Sequence, residues 1–192
     1  MEQILEIQKN VKAIVRKYEN NLIKLNIEVF RSIDCYENYA ISSFGRVKNT
    51  KTGRILKAGL DSHGYLTVNL CEDGVKKIHR IHRLVACAFI NNPDNKECVD
   101  HKDNNKTNNN ISNLRFATTK ENSQNSKLSN NNTSNVKGVC WHKKAKKWHA
   151  RIMIDGIQIH IGLFDNLEDA KTARVNRANE AFGIYTNACE KL

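Results

Sequence analysis

Asp100 and His101 stand side by side after a short apolar segment, and Asn122 follows where a polar helix pattern begins. Carboxylate and amide oxygens are hard ligands that suit Mg²⁺, which keeps its other coordination sites for water and substrate phosphate. An imidazole with an unperturbed pKa of about 6.5 takes a proton from water at neutral pH. Together these are the parts of metal-assisted phosphodiester hydrolysis. Singly each is weak evidence, because Asp-His pairs are common on polar surfaces and residues 91–135 contain 15 Asn. The weight falls on the arrangement.

That arrangement needs elements to hold it. Cys98 to His101 reads as a short strand, an Asn-rich loop follows, and Leu114 to Phe116 reads as a second strand. Thr118-Thr119-Lys120-Glu121 has the capping-box pattern that starts a helix near Thr118. A hairpin packed on a helix in this order converges Asp100 and His101 with Asn122. Upstream, Tyr65 to Leu70 and Val75 to His79 flank the turn signal Glu72-Asp73-Gly74 and predict a β-hairpin. His82 to Ile90 predicts a helix ending before Asn92-Pro93, the only proline. In residues 3–25, Ile4, Ile7, Val11, Ile14, Tyr18, Leu22 and Leu25 recur at steps of three and four, an amphipathic helix. Such a stripe more often packs on its own domain than forms a coiled-coil seam, so weak self-association is the lesser reading. Ser126 to Asn135 has almost no apolar content and reads as a linker. Beyond it, Gly138 to Gly162 alternates like strands and Leu167 to Phe182 has helical spacing. Period two puts Trp148, Ala150, Ile152, Ile154, Ile157, Ile159 and Ile161 inward. It puts His149, Arg151, Met153, Gln158 and His160 outward.

In chain order, His82-Arg83-Leu84-Val85-Ala86, Val99-Asp100-His101-Lys102-Asp103, Asn113-Leu114-Arg115 and Glu121-Asn122 resemble the HNH endonucleases, particularly the His-Asn-Asn variety of phage and intron homing enzymes. The resemblance implies a ββα-metal (His-Me finger) fold. It implies His101 as general base, Asp100 and Asn122 as holders of one divalent metal per active site, and Asn113 as the residue that braces the loop to orient His101. The implied reaction nicks DNA and leaves 5′-phosphate and 3′-hydroxyl ends. Asn104 stands where relatives commonly have Gly and must reach a φ > 0 turn, which Asn tolerates. The stretch Tyr36 to Lys48, with Phe30 in place of the usual Trp, resembles the nuclease-associated modular motif that precedes HNH domains. Val136 to Ile152, Ile161 to Phe164 and Glu168 to Ala173 resemble the plant ethylene-response-factor (APETALA-two) DNA-binding domain. Carried over, that family's mode sends the outward face into the major groove, with Lys143 and Lys144 near phosphates. Cys140, Met153 and Gln158 replace the Arg of the plant domains, which favours A·T-rich sequence or backbone over direct G reading.

The charge fits such a partner. Against 20 Asp and Glu the chain carries 31 Lys and Arg, a net +11, with the excess in residues 31–90 and 127–192 and none in 91–126. That distribution suits a chain holding a polyanion on both sides of a site. Arg46, Lys48, Arg115, Lys143, Lys144, His149, Arg151, Gln158 and His160 are the expected contacts to double-stranded DNA. The longest apolar run, Leu84 to Ile90, is far short of the roughly 18 residues a spanning helix needs. The N-terminus carries Glu2 and Glu6 and no basic n-region, so no signal or transit peptide is expected and the location is intracellular. Six scattered cysteines without a C-x-x-C pair read as reduced thiols; Cys140, His142, His149 and His160 match no standard zinc-finger spacing. The expected organisation is α+β: an amphipathic helix at 1–28, the modular motif at 29–57 and the nuclease at 58–126. A linker at 127–135 then leads to a three-stranded antiparallel sheet plus helix at 136–185. The chain is expected to act as a monomer on DNA. The rival reading is a DNA-binding regulator with an inactive centre, against which intact Asp100, His101, Asn113 and Asn122 argue.

Overall fold

In the computed structural model, which describes residues 2–129 and 131–190, the chain leaves its first unit at Pro93 and returns to it for Lys106–Arg115. Asp94–Asn105 and the chain from Phe116 onward form a second unit. Among the described residues no helix is long and apolar enough to cross a membrane, and all six cysteines are free thiols.

The first unit opens with α1 (Glu2–Lys24), the amphipathic helix that the spacing predicts. Its stripe does not pack on its own domain: Ile4, Ile7, Val11, Ile14 and Tyr18 are exposed. Its end is tied down where Glu19 pairs with Arg31 at 2.8 Å and Arg31 lies 4.6 Å from the centre of the Phe89 ring. β1 (Phe30–Ile33), β2 (Tyr36–Ser42) and β3 (Val47–Asn49) form an antiparallel sheet. A second sheet joins β4 (Gly59–Leu60), β5 (Leu66–Glu72) and β6 (Val75–Arg80). Glu72 pairs with Val75 across Asp73 (φ 49°) and Gly74 (φ 77°). Two left-handed residues give the turn a twist that matches the flanking strands. α2 (Ile81–Phe89) follows β6 directly and buries Ile81, His82, Val85 and Ala86.

The turn between β2 and β3 receives the Asn-rich loop. Gly45 has φ +85°, and a Cβ there would lie 2.7 Å from the Asn109 Cβ, so only glycine fits. Ile111 N–H donates to the Ser43 carbonyl at 2.8 Å. The short 3₁₀ turn Ile111–Asn113 is capped by the Asn110 side chain, which accepts from Ser112 N–H.

In the second unit β7 (Cys98–His101) forms a two-stranded sheet with β8 (Leu114–Ala117), whose last two residues belong to this unit, and α3 (Thr119–Gln124) follows. β9 (Val139–His142), β10 (Lys147–Ile154) and β11 (Ile157–Phe164) make an antiparallel sheet with β10 central, backed by α4 (Leu167–Phe182). Ala170 and Ala178 are fully buried in the clusters that join helix to sheet. Their small side chains allow the close approach. Alternation along β10 holds, with Ala150 and Ile152 buried and Arg151 and Met153 exposed. Ile157 corrects the expected pattern: it is 67% exposed, because it sits at the hairpin end, outside the cluster of Ile152, Ala178 and Phe182 that Ile159 joins. A bulge between Ala150 and Arg151 leaves Ile161 without a partner across the ladder and aims it into both clusters. Ser134 is buried, and its hydroxyl donates to the Val139 carbonyl at 2.6 Å, fastening the end of the Asn-rich segment to the sheet. After α4 the chain forms the 3₁₀ turns Gly183–Tyr185 and Ala188–Glu190, held by a buried Arg174–Glu190 ion pair at 2.6 Å.

Candidate active site

β7 ends on Asp100 and His101, each 4% exposed. Just beyond, Asn104 adopts φ 59° and its N–H donates to the His101 carbonyl at 2.8 Å. The left-handed turn expected of Asn at this position is therefore present.

α3 has six residues, too few to persist alone in water. Its order comes from anchors at both ends. At the start, Thr118 Oγ1 accepts from Glu121 N–H at 3.2 Å and Glu121 Oε2 accepts from Thr118 N–H at 2.7 Å, a complete capping box. Glu97 accepts from the Thr119 N–H at 2.9 Å and from its hydroxyl at 2.8 Å. Lys96 pairs with Glu121 at 2.8 Å and donates to the Tyr185 hydroxyl at 3.1 Å. Burial pushes the Glu121 carboxyl up, but hydrogen bonds from Lys96 and Thr118 outweigh it and hold the group below the usual carboxylate range. At the far end Lys137 Nζ donates to the carbonyls of Gln124 at 2.9 Å and Ser126 at 3.0 Å, where the helix dipole favours a cation.

Asn122 lies exposed on α3, one turn before Asn125. Asn125 is 1% exposed, and its Nδ2 donates to Asp100 Oδ1 at 2.9 Å, to Oδ2 at 3.1 Å and to the His101 carbonyl at 2.9 Å. Its Oδ1 accepts from Asn104 Nδ2 at 3.3 Å and Asn187 Nδ2 at 3.1 Å. Sequence reasoning missed both Asn125 and Asn187. The first is hidden among fifteen asparagines, and the second lies past the expected end of the last domain. Asp100 and Asn122 would offer a Mg²⁺-type cation the hard carboxylate and amide oxygens that suit it. Among the described residues no three His, Cys, Asp or Glu form a cation cage.

Asn113 and Arg115 belong to the first unit. Asn113 Nδ2 donates to the Asn108 carbonyl at 2.9 Å and closes the loop on itself. Arg46 is engaged by Glu28, with Nε 2.8 Å from Oε1, and that guanidinium holds the Glu28 carboxyl below its usual range. Lys48 lies 5.7 Å from the centre of the Phe30 ring. In the second unit Lys143 and Lys144 are exposed in the turn between β9 and β10. Register pairs His149 with Cys140, Arg151 with His160 and Met153 with Gln158, so the outward residues share one face. His149 Nε2 lies 2.8 Å from His160 Nδ1, and burial followed by the charges of His160, Arg151 and His142 pushes the His149 pKa down.

Residues 28–71 match the NUMOD4 motif, and residues 79–124, which hold Asp100, His101, Asn113 and Asn122, match the HNH endonuclease family. The chain carries an HNH endonuclease domain. An uncharacterized HNH endonuclease of Acanthamoeba polyphaga mimivirus is 43% identical over 93 residues, which are 48% of this chain and 28% of that protein. DNA endonuclease I-HmuI of Bacillus phage SP01 is 39% identical over 97 residues, 50% of this chain and 56% of that protein. The chain thus spans 28% and 56% of the lengths of these two HNH relatives. A solved structure titled "DNA binding and cleavage by the HNH homing endonuclease I-HmuI" corresponds over 81% of this chain and 83% of that one, at 30% identity and a TM-score of 0.48.

Proposed function

We propose that this chain is a Mg²⁺-dependent DNA endonuclease of homing type that nicks one strand of a duplex and leaves 5′-phosphate and 3′-hydroxyl ends. One observation carries the reading: within the HNH match, Asp100 and His101 are buried together at the end of β7. His101 takes the proton from the attacking water as general base. Asp100 and Asn122 hold the cation, with Asn125 steadying the Asp100 carboxylate, and Asn113 braces the loop through Asn108. A Mg²⁺ held by Asp100 and Asn122 would supply charge neutralisation at the scissile phosphate, and in-line attack by the water that His101 deprotonates, with the 3′ oxygen as leaving group, gives the stated ends.

The β9–β11 sheet, read as an ethylene-response-factor type module, lays His149, Arg151, Gln158 and His160 against the major groove, with Lys143 and Lys144 on phosphates. Lys48 and Arg115 add cations on the other unit, and Arg46 exchanges its Glu28 partner for phosphate. The proposed divisions remain 1–28, 29–57, 58–126, 127–135 and 136–185.

The test is cleavage of supercoiled plasmid with Mg²⁺ by the native protein and by His101→Ala. Loss of a general base lowers the rate by about 10² to 10⁴, while DNA affinity in EDTA stays within about twofold because phosphate contacts carry it. Equal cleavage by the variant removes His101 from the mechanism. Native protein that binds DNA but never cuts it is the outcome for an inactive regulator.

A further inference from the structure

We infer that Asn187, in the tail that follows α4, is a positioning residue for the metal-binding carboxylate, so that the C-terminal module is a working part of the hydrolytic centre. The inference rests on the reading of Asp100 as a cation ligand. Its physical basis is the one-way polarity of the amide chain. A carboxylate and a carbonyl only accept, so Asn125 must turn its NH₂ toward Asp100 and the His101 carbonyl. Its Oδ1 then faces away and requires donors. Asn187 Nδ2 supplies one at 3.1 Å and also donates to the Asn125 backbone carbonyl at 2.6 Å. The orientation of Asn187 is itself fixed, because its Oδ1 accepts from Cys189 N–H at 2.9 Å. Asn187 and Asn125 are 4% and 1% exposed, so water does not compete for these bonds.

The tail in turn is held to the module. Thr186 Oγ1 donates to the Ala178 carbonyl of α4 at 3.2 Å, and Glu190 pairs with Arg174 of α4 at 2.6 Å and with Lys137 at 3.4 Å. Lys137 and Tyr185 also reach α3 and Phe116, the latter through a 3.0 Å bond from the Tyr185 hydroxyl to the Phe116 carbonyl. The Asn125 amide that holds the buried Asp100 carboxylate thus takes its alignment from a residue 62 positions later in the chain.

The measurement is Mn²⁺ binding to the full chain without DNA, by calorimetry and by the manganese EPR signal, for the native protein, Asn187→Leu, Asn187→Ala and Asp100→Ala. Partners that orient a metal ligand are worth about 10- to 100-fold in metal affinity. The Asn187 variants are therefore expected to bind Mn²⁺ roughly tenfold or more weakly, with DNA affinity in EDTA within about twofold. A folded Asn187 variant with native Mn²⁺ affinity, beside an Asp100→Ala protein that has lost it, overturns the inference while sparing the metal site. Native Mn²⁺ affinity in Asp100→Ala instead overturns the reading on which it rests. The unaltered protein provides a second check: adding Mg²⁺ should shift the Asn187 side-chain amide resonances in a ¹⁵N NMR spectrum. No shift would sink the relay even if both Asn187 variants failed to fold.

Discussion

Few side chains hold the proposed cation, so each should be visible in a metal titration. Asp100→Ala and Asn122→Ala are expected to raise the Mg²⁺ concentration for half-maximal plasmid cleavage by at least about tenfold, as loss of a ligand should exceed loss of a partner that only orients one. Asn113→Ala removes the 2.9 Å bond to the Asn108 carbonyl and acts on loop order. It is expected to slow cleavage with little change in the Mg²⁺ midpoint. Unchanged midpoints in Asp100→Ala and Asn122→Ala alike would refute the proposed ligand pair. At this scale the chain spelled out Asp100 and His101 through adjacent residue types, but it concealed Asn125 because one amide in an Asn-rich stretch looks like another. It concealed the Arg46–Glu28 pair for a different reason: nothing in local patterning says that residues 18 apart will meet.

α3 is the element on which the site most depends, and its cap is testable. Thr118→Ala is expected to destabilise the fold by about 1 kcal/mol, the usual worth of an N-cap. Glu121 adds a pH dependence. Its carboxyl lies below the ordinary value of 4.5 when folded, so its stabilisation is fully present above that value and disappears as pH falls through the folded pKa. Glu121→Gln can keep the cap but loses the ion pair with Lys96. In thermal melts between about pH 7 and pH 3, the native protein should lose more stability than Glu121→Gln at the acid end. Parallel melting curves would show that this carboxyl contributes nothing. Gly45→Ala should destabilise the first unit, since the new Cβ meets Asn109 Cβ at 2.7 Å and must also hold φ +85°. The expected loss is about 1–3 kcal/mol, read from a denaturant midpoint; an unchanged midpoint would mean that the loop does not press on this turn.

On the proposed function, the single Asp-His-Asn-Asn set in the chain gives one hydrolytic centre per protomer and one strand within reach. Supercoiled plasmid is therefore expected to give open circle first and linear DNA only late or at high protein concentration. Linear product appearing directly at low concentration, from protein shown by light scattering to be monomeric, would contradict the one-centre argument. Lys143→Ala and Lys144→Ala should each reduce the slope of log affinity against log salt by about one. Unaltered slopes would remove the β9–β10 turn from the phosphate contacts.

Elements that carry short-range signals were legible in the amino-acid order. The Thr118–Glu121 box starts α3 where predicted, Asp73-Gly74 closes its hairpin, and β7 covers Cys98–His101. These succeed because capping, turn dihedrals and period-two alternation are decided within a few residues. Tertiary structure alone decided the rest. The α1 stripe has helical periodicity, yet its residues are exposed, because spacing states which side is apolar and not what covers it. Ile157 fits the alternation but lies at a hairpin end, outside the core cluster. The amide chain from Asn187 through Asn125 to Asp100 joins residues 62 and 25 positions apart. Its Asn187 bonds need the C-terminal tail in place, since donors and acceptors meet through chain crossings that no local pattern records.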